Sequence, residues 1–103
     1  MMLDHRQPDL ETANLLLGMF AGRADVRGSL RVVDLMQRYK IRPDATTVGS
    51  LIQLYCEAGT PGGVWLALQL ARRHDLRIAR KSAGLVERSF PQDGEISAML
   101  ARL

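Results

Sequence analysis

At 103 residues the chain has room for one small domain, and its composition, 47% hydrophobic but only 5% aromatic, predicts a globular fold with an aliphatic interior rather than a disordered segment. A formal net charge of +3 makes it basic without the density of a polycationic tail. The lone Cys56 excludes an internal disulfide, no apolar run approaches the ~20 residues of a membrane span, and MMLDHRQPDLE, acidic and without an apolar core, fits neither a secretory signal nor a transit peptide.

Residues 1–9 read as a lead-in ending at Pro8. A first helix is predicted from about Leu10 to Ala21, with Ala13, Leu16, Leu17 and Phe20 on its buried side, and Gly22 to Asp25 as the turn. Asp25 can cap a second helix that carries Val26, Leu30, Val33 and Met36 at three-and-four spacing. That helix ends in a basic turn, Arg38 and Lys40, which suits the negative end of a helix dipole. Pro43 stops it, since proline cannot continue a helix and pushes Arg42 into an extended conformation. Asp44 and Thr46 or Thr47 then cap a third helix, and its residues Val48, Leu51, Ile52 and Tyr55 form one apolar face before Gly59 stops it. The fourth helix, about Gly62 to His74, is apolar nearly all round and should lie between neighbours. A short fifth helix, Arg80 to Ser89, starts basic and presents Ala83, Val86 and Phe90. After Pro91 a sixth begins at Asp93 or Gly94, with Ile96, Met99, Leu100 and Leu103 apolar.

No segment shows the strict alternation of a half-buried strand, so an all-α fold of six short helices in three antiparallel pairs is expected. The sequence also repeats itself at a step of 35 residues. Pro8-Asp9 recurs as Pro43-Asp44, Thr12 as Thr47, Leu16 as Leu51 and Phe20 as Tyr55. A further step reaches Ala79, Val86, Phe90 and Gly94, so a third copy lacks Pro-Asp but keeps the apolar skeleton. The predicted units are 10–44, 45–79 and a truncated 80–103, together one helical-repeat domain.

Ile41 to Gly59, with Leu35-Met36 before it and the Arg42-Pro43-Asp44 junction, resembles the pentatricopeptide repeat, and the resemblance runs over residues 9–103. It implies a right-handed α-solenoid of about three helical hairpins. Tetratricopeptide repeats share the hairpin but have a period of about 34 residues and a different pattern of small and aromatic residues. In the pentatricopeptide family a polar residue near the start of the first helix and the residue closing the repeat together read the Watson–Crick edge of one RNA base. Asn14 and Asp44 stand at those places in the first copy, a pair resembling a uridine reader.

The second copy has Gly49 and Ala79 there, without side-chain hydrogen-bonding groups, and the third has Gly84. The apolar clamp of the family is replaced by Glu11, Thr46 and Lys81, and its basic backbone contact by Gly22, Glu57 and Gln92. The resemblance therefore implies base reading in at most one repeat. Charge is uneven as well: residues 70–103 hold seven Lys or Arg against four Asp or Glu, whereas residues 1–69 hold seven of each. Arg72, Arg73, Arg77, Arg80, Lys81 and Arg88 are the candidate phosphate contacts.

Other chemistry is not indicated. His5 and His74 lack acidic or cysteine partners at metal-ligand spacing, and the glycines Gly22, Gly28, Gly62 and Gly63 follow no strand and form no phosphate loop. Cys56 lies on a buried face, and no nucleophile has a base beside it. Neither an enzyme, a small-molecule substrate, a cofactor nor membrane insertion is expected. The implied role is an accessory, RNA-associated component of an organellar gene-expression assembly in mitochondria or plastids, for example a mitochondrial ribosome or RNA-processing complex. Its partners would be protein subunits and single-stranded or ribosomal RNA. The other reading is a purely protein-binding helical-repeat scaffold in a respiratory or other multi-subunit complex.

Overall fold

The computed structural model describes residues 9–102, so the lead-in before Asp9, His5 and the place of Leu103 in the last apolar face lie outside the described residues. Six α-helices and no strand occur among the described residues: α1 (Leu10–Arg23), α2 (Val26–Arg38), α3 (Ala45–Ala58), α4 (Pro61–Arg73), α5 (Arg80–Ser89) and α6 (Gly94–Ala101).

The helix starts follow from capping chemistry. Asp9, Asp25, Asp44 and Asp93 each accept a hydrogen bond from a backbone N–H three residues on, those of Thr12, Gly28, Thr47 and Ile96. At Asp44 the arrangement is reciprocal, since the Thr47 hydroxyl takes the Asp44 N–H. α1 runs two residues beyond its expected end and stops at Ala24, which adopts a left-handed conformation with φ 51°. α3 stops in the same way at Gly59, φ 68°, where glycine takes that conformation without a Cβ penalty.

Local geometry repeats at the 35-residue step of the sequence. Ala24 and Gly59 are both left-handed helix stops, and Lys40 and Asp75 both have positive φ, 56° and 57°. The Ile41 N–H bonds the Met36 carbonyl at 2.8 Å, and 35 residues later Leu76 bonds Ala71 at 2.8 Å. The close approach of paired helices recurs as well. A Cβ on Gly28 would come within 2.7 Å of the Phe20 ring, and one on Gly63 would collide with the ring of Tyr55.

Successive helices pack as a helical solenoid requires. α1, α3 and α5 stack side by side in one layer, α2 and α4 fold back beside α1 and α3, and α6 packs on α4. The core is aliphatic, built on Leu17, Leu51, Ile52, Leu54, Val64 and Leu68 with Tyr55 at its centre, all without exposed surface. α4 buries Val64, Ala67, Leu68, Leu70 and Ala71, as its nearly all-round apolarity predicts.

Two expectations are corrected. Leu30, assigned to the apolar face of α2, is 45% exposed; the buried stripe is Ser29, Val32, Val33 and Met36. The cause is Gly28, which must face the Phe20 ring and thereby turns α2 away from Leu30. The third pair is also looser than a hairpin, because α5 packs mainly on α3 and α6 mainly on α4 rather than on each other. Both helices are short, ten and eight residues, and α5 has Ala79 at its N-cap, which offers no side-chain hydrogen bond.

Ser29 is the feature that the periodicity of apolar residues cannot reveal. Its hydroxyl donates to the Val26 carbonyl at 2.7 Å. With that proton committed, it accepts from the Tyr55 hydroxyl at 3.0 Å, a buried bond between the first and second hairpins.

Candidate nucleic-acid interface

Asn14 and Asp44 meet at the junction of α1 and α3. Asn14 sits one turn into α1 and is half-buried, and Asp44 caps α3. The Asn14 Nδ2 donates to Asp44 Oδ1 at 3.2 Å, and the Thr47 hydroxyl lies 2.6 Å from Asn14 Oδ1 and 3.0 Å from Asp44 Oδ1. Thr47 has one hydroxyl proton, and the shorter contact identifies Asn14 as its acceptor. One amide hydrogen and one carbonyl lone pair of Asn14 are left unspent by this network.

Burial pushes the Asp44 carboxyl up, but hydrogen bonds from the Thr47, Asn14 and Thr46 amides outweigh it and hold its pKa below the ordinary value. Asp44 is therefore an anion and a fixed acceptor at neutral pH.

Leu10, Glu11, Asn14, Leu15, Asp44 and Thr46 line a shallow groove of about 460 Å³ between α1 and α3. A second groove, about 650 Å³, lies between α3 and α5 and is lined by Thr46, Gly49, Ser50, Gln53, Glu57, Lys81, Ser82, Leu85 and Arg88. The two correspond at the 35-residue step: Glu11, Asn14, Leu15 and Thr46 of the first map onto Thr46, Gly49, Ser50 and Lys81 of the second. Chemically they differ. The first offers the Asn14 amide and the Asp44 carboxylate, while the second has Gly49 and Ala79 at those places and is lined by the cations Lys81 and Arg88 and the anion Glu57.

The candidate phosphate contacts are all exposed, but they do not form one cluster. Lys81 and Arg88 face the α3/α5 groove. Arg80 begins α5 and Arg77 lies in the loop before it. Arg72 and Arg73 end α4, in the other layer. There Arg73 joins Lys40, Arg42 and His74 around a groove of about 570 Å³ floored by Val33, Met36, Ile41, Pro43 and Leu70, which sequence reasoning did not anticipate. Partial burial, with Arg42 and Arg73 nearby, lowers the His74 pKa, so the imidazole stays neutral at pH 7.

Cys56 is half-buried, and burial raises its thiol pKa despite a hydrogen bond with Ser89 and with a further upward push from Glu57. A raised pKa makes a poor nucleophile. No group of three potential metal ligands occurs among the described residues, and no described helix is long and apolar enough to cross a membrane. Compared with models of known protein families, with curated proteins and with solved structures, the chain matches none of them.

Proposed function

We propose that the chain is a non-catalytic, pentatricopeptide-repeat-like module, a right-handed solenoid with units 10–44, 45–79 and 80–103, that serves as an accessory RNA-associated component of an organellar gene-expression assembly in mitochondria or plastids. The observation that carries this reading is the meeting of Asn14 and Asp44 in an open groove, with the Asn14 amide fixed at 3.2 Å from the carboxylate. An amide donor beside a fixed anionic acceptor matches the O4 and N3–H of a uracil edge. Lys81 and Arg88 on the next groove supply cations for the adjoining phosphates.

One base contact is worth about 1 to 3 kcal/mol of discrimination, so the module holds RNA only together with its protein partners. A purely protein-binding scaffold is the second reading. It is favoured by the Thr47 hydroxyl, which occupies part of the reading amide, and by Glu11 in the same groove, whose charge repels phosphate.

Binding of a labelled uridine-containing single-stranded RNA across a salt series separates the two. The RNA reading expects binding that weakens with salt, falls when Arg72, Arg73, Arg80 and Lys81 are changed to alanine, and loses its preference for uridine in Asn14→Ala. Absence of binding at low salt selects the scaffold.

A further inference from the structure

Among the described residues, the second hairpin is covered on both sides, by the first hairpin and by α5 and α6, and the first hairpin on only one. On α3, Thr47 faces α1 through its bond to Asn14, while Gly49 faces α5, where a Cβ would lie 3.7 Å from the Ser82 hydroxyl. Leu51 and Leu54 share the stripe of Thr47 at helical spacing and have no exposed surface. The residues 35 earlier, Thr12, Leu16 and Met19, form the same stripe on α1, where Met19 is 57% exposed.

The same contrast holds for the whole hairpin. Leu16, Phe20, Val32 and Leu35 floor a groove of about 530 Å³ between α1 and α2. Their counterparts 35 residues on, Leu51, Tyr55, Ala67 and Leu70, are all buried, beneath the first hairpin. The surface that α1 and α2 leave open is thus the one on which this fold elsewhere seats a helical hairpin.

Its rim differs from the internal copy in a definite way. Arg27 and Arg31, one turn apart, line the groove where the second hairpin has Gly62 and Leu66; the Asp25 carboxylate in the same groove is engaged as the cap of α2, and neither arginine has an ion-pair partner among the described residues. Two adjacent guanidinium groups repel each other unless a carboxylate is placed between them. A second copy of this chain does not answer that need. Back-to-back pairing would bring four such arginines together. Head-to-tail stacking would press Glu87, which stands where Leu17 and Ile52 stand in the earlier copies, against Leu16 and Met19, at the cost of burying a carboxylate.

We infer that the open α1/α2 face is a docking surface for a helical hairpin of a partner protein, with small aliphatic residues that fill the Leu16–Phe20–Val32–Leu35 groove and carboxylates that pair with Arg27 and Arg31. The incoming hairpin extends the stack by one layer. This inference depends on the hairpin geometry and not on RNA binding.

The test uses the full chain with a second copy of residues 9–43 placed directly before Asp9, so that the added hairpin reaches the face in the register by which α1 and α2 cover α3 and α4. Thermal unfolding of the extended chain should shift up by roughly 5 °C or more. Amide exchange at Leu16, Met19 and Phe20 should slow to the rates of Leu51, Leu54 and Tyr55. Met19→Glu at the original position should abolish the gain in the extended chain and leave the parent nearly unchanged. Arg31→Leu should raise the extended chain further, since the added copy brings no designed carboxylate, and should not raise the parent. No shift, or an added hairpin that exchanges like a free peptide, overturns the inference. An indifferent Arg31→Leu overturns the acidic character of the partner. Sedimentation of the parent should give a monomer; self-association lost in Met19→Glu would assign the face to a second copy instead.

Discussion

α1 and α3 are helices of equal length, 14 residues each, capped by aspartates 35 residues apart and ended by left-handed residues 35 apart. Their environments nevertheless differ. α3 buries Thr47, Val48, Leu51, Ile52, Leu54 and Tyr55, whereas α1 buries only Ala13, Leu17 and Ala21 and leaves Leu15 67% exposed. Neighbours, rather than helix-forming tendency, decide how much each residue contributes to stability. Substitutions made in pairs at the 35-residue step therefore measure the neighbours.

The largest contrast should come from the leucines. Leu51→Ala removes a side chain packed on every side and should cost about 3 kcal/mol in denaturant unfolding, while Leu16→Ala, half-exposed, should cost under ~1 kcal/mol. Equal costs would break the comparison and show the end face covered in solution. Next come the contact glycines. Gly63→Ala drives a methyl into the Tyr55 ring, which is fully buried and tied to Ser29, and should cost about 2 kcal/mol. Gly28→Ala should cost less by about 1 kcal/mol, because Phe20 borders an open groove and can swing aside.

The caps follow. Asp44→Ala should destabilise by about 1 to 2 kcal/mol and Asp9→Ala by less, measured as urea midpoints at pH 7, since Asp44 caps a helix covered on two sides and also holds Asn14. The Asp44 pKa is lowered in the folded chain, so its contribution is complete above the ordinary value of 3.8 and lost as pH falls through the lowered one. Between pH 5 and 2, Asp44→Asn should therefore flatten the acid loss of stability seen in the parent. The smallest effect has the opposite sign. Ala24→Gly places glycine where the second hairpin already has Gly59 and should stabilise by about 0.5 kcal/mol.

The part of this fold legible in the sequence is the part written in capping and period. Asp25 and Asp44, the breaks at Pro8 and Pro43 and the stop at Gly59 locate the first three helices, and the span Arg80–Ser89 is read correctly for α5. Leu30 misleads because hydrophobicity at helical spacing does not say which edge of the stripe a small residue will claim, and Gly28 claims it. A 35-residue step would have carried Gly28 onto Gly63 and Phe20 onto Tyr55 and exposed that constraint. Of the candidate site, the pairing of Asn14 with Asp44 follows from the resemblance to the pentatricopeptide repeat and not from the step itself. The Thr47 hydroxyl that engages Asn14 follows from neither, since its direction depends on the angle at which α3 meets α1. Nor does the division of the arginines between two layers, because their closeness in sequence spans the end of α4, a loop and the start of α5.

The hydroxyl pair of Ser29 and Tyr55 bears on alignment more than on cohesion. An interface of leucines and valines is nearly indifferent to sliding by one helical turn, about 5.4 Å, because another apolar residue arrives at each place. Such a slide here would strand the Tyr55 hydroxyl in hydrocarbon, where an unsatisfied polar group costs about 1 to 3 kcal/mol. Tyr55 thus works as a dowel between the first two hairpins, and it admits only the alignment that also brings Asn14 up to Asp44.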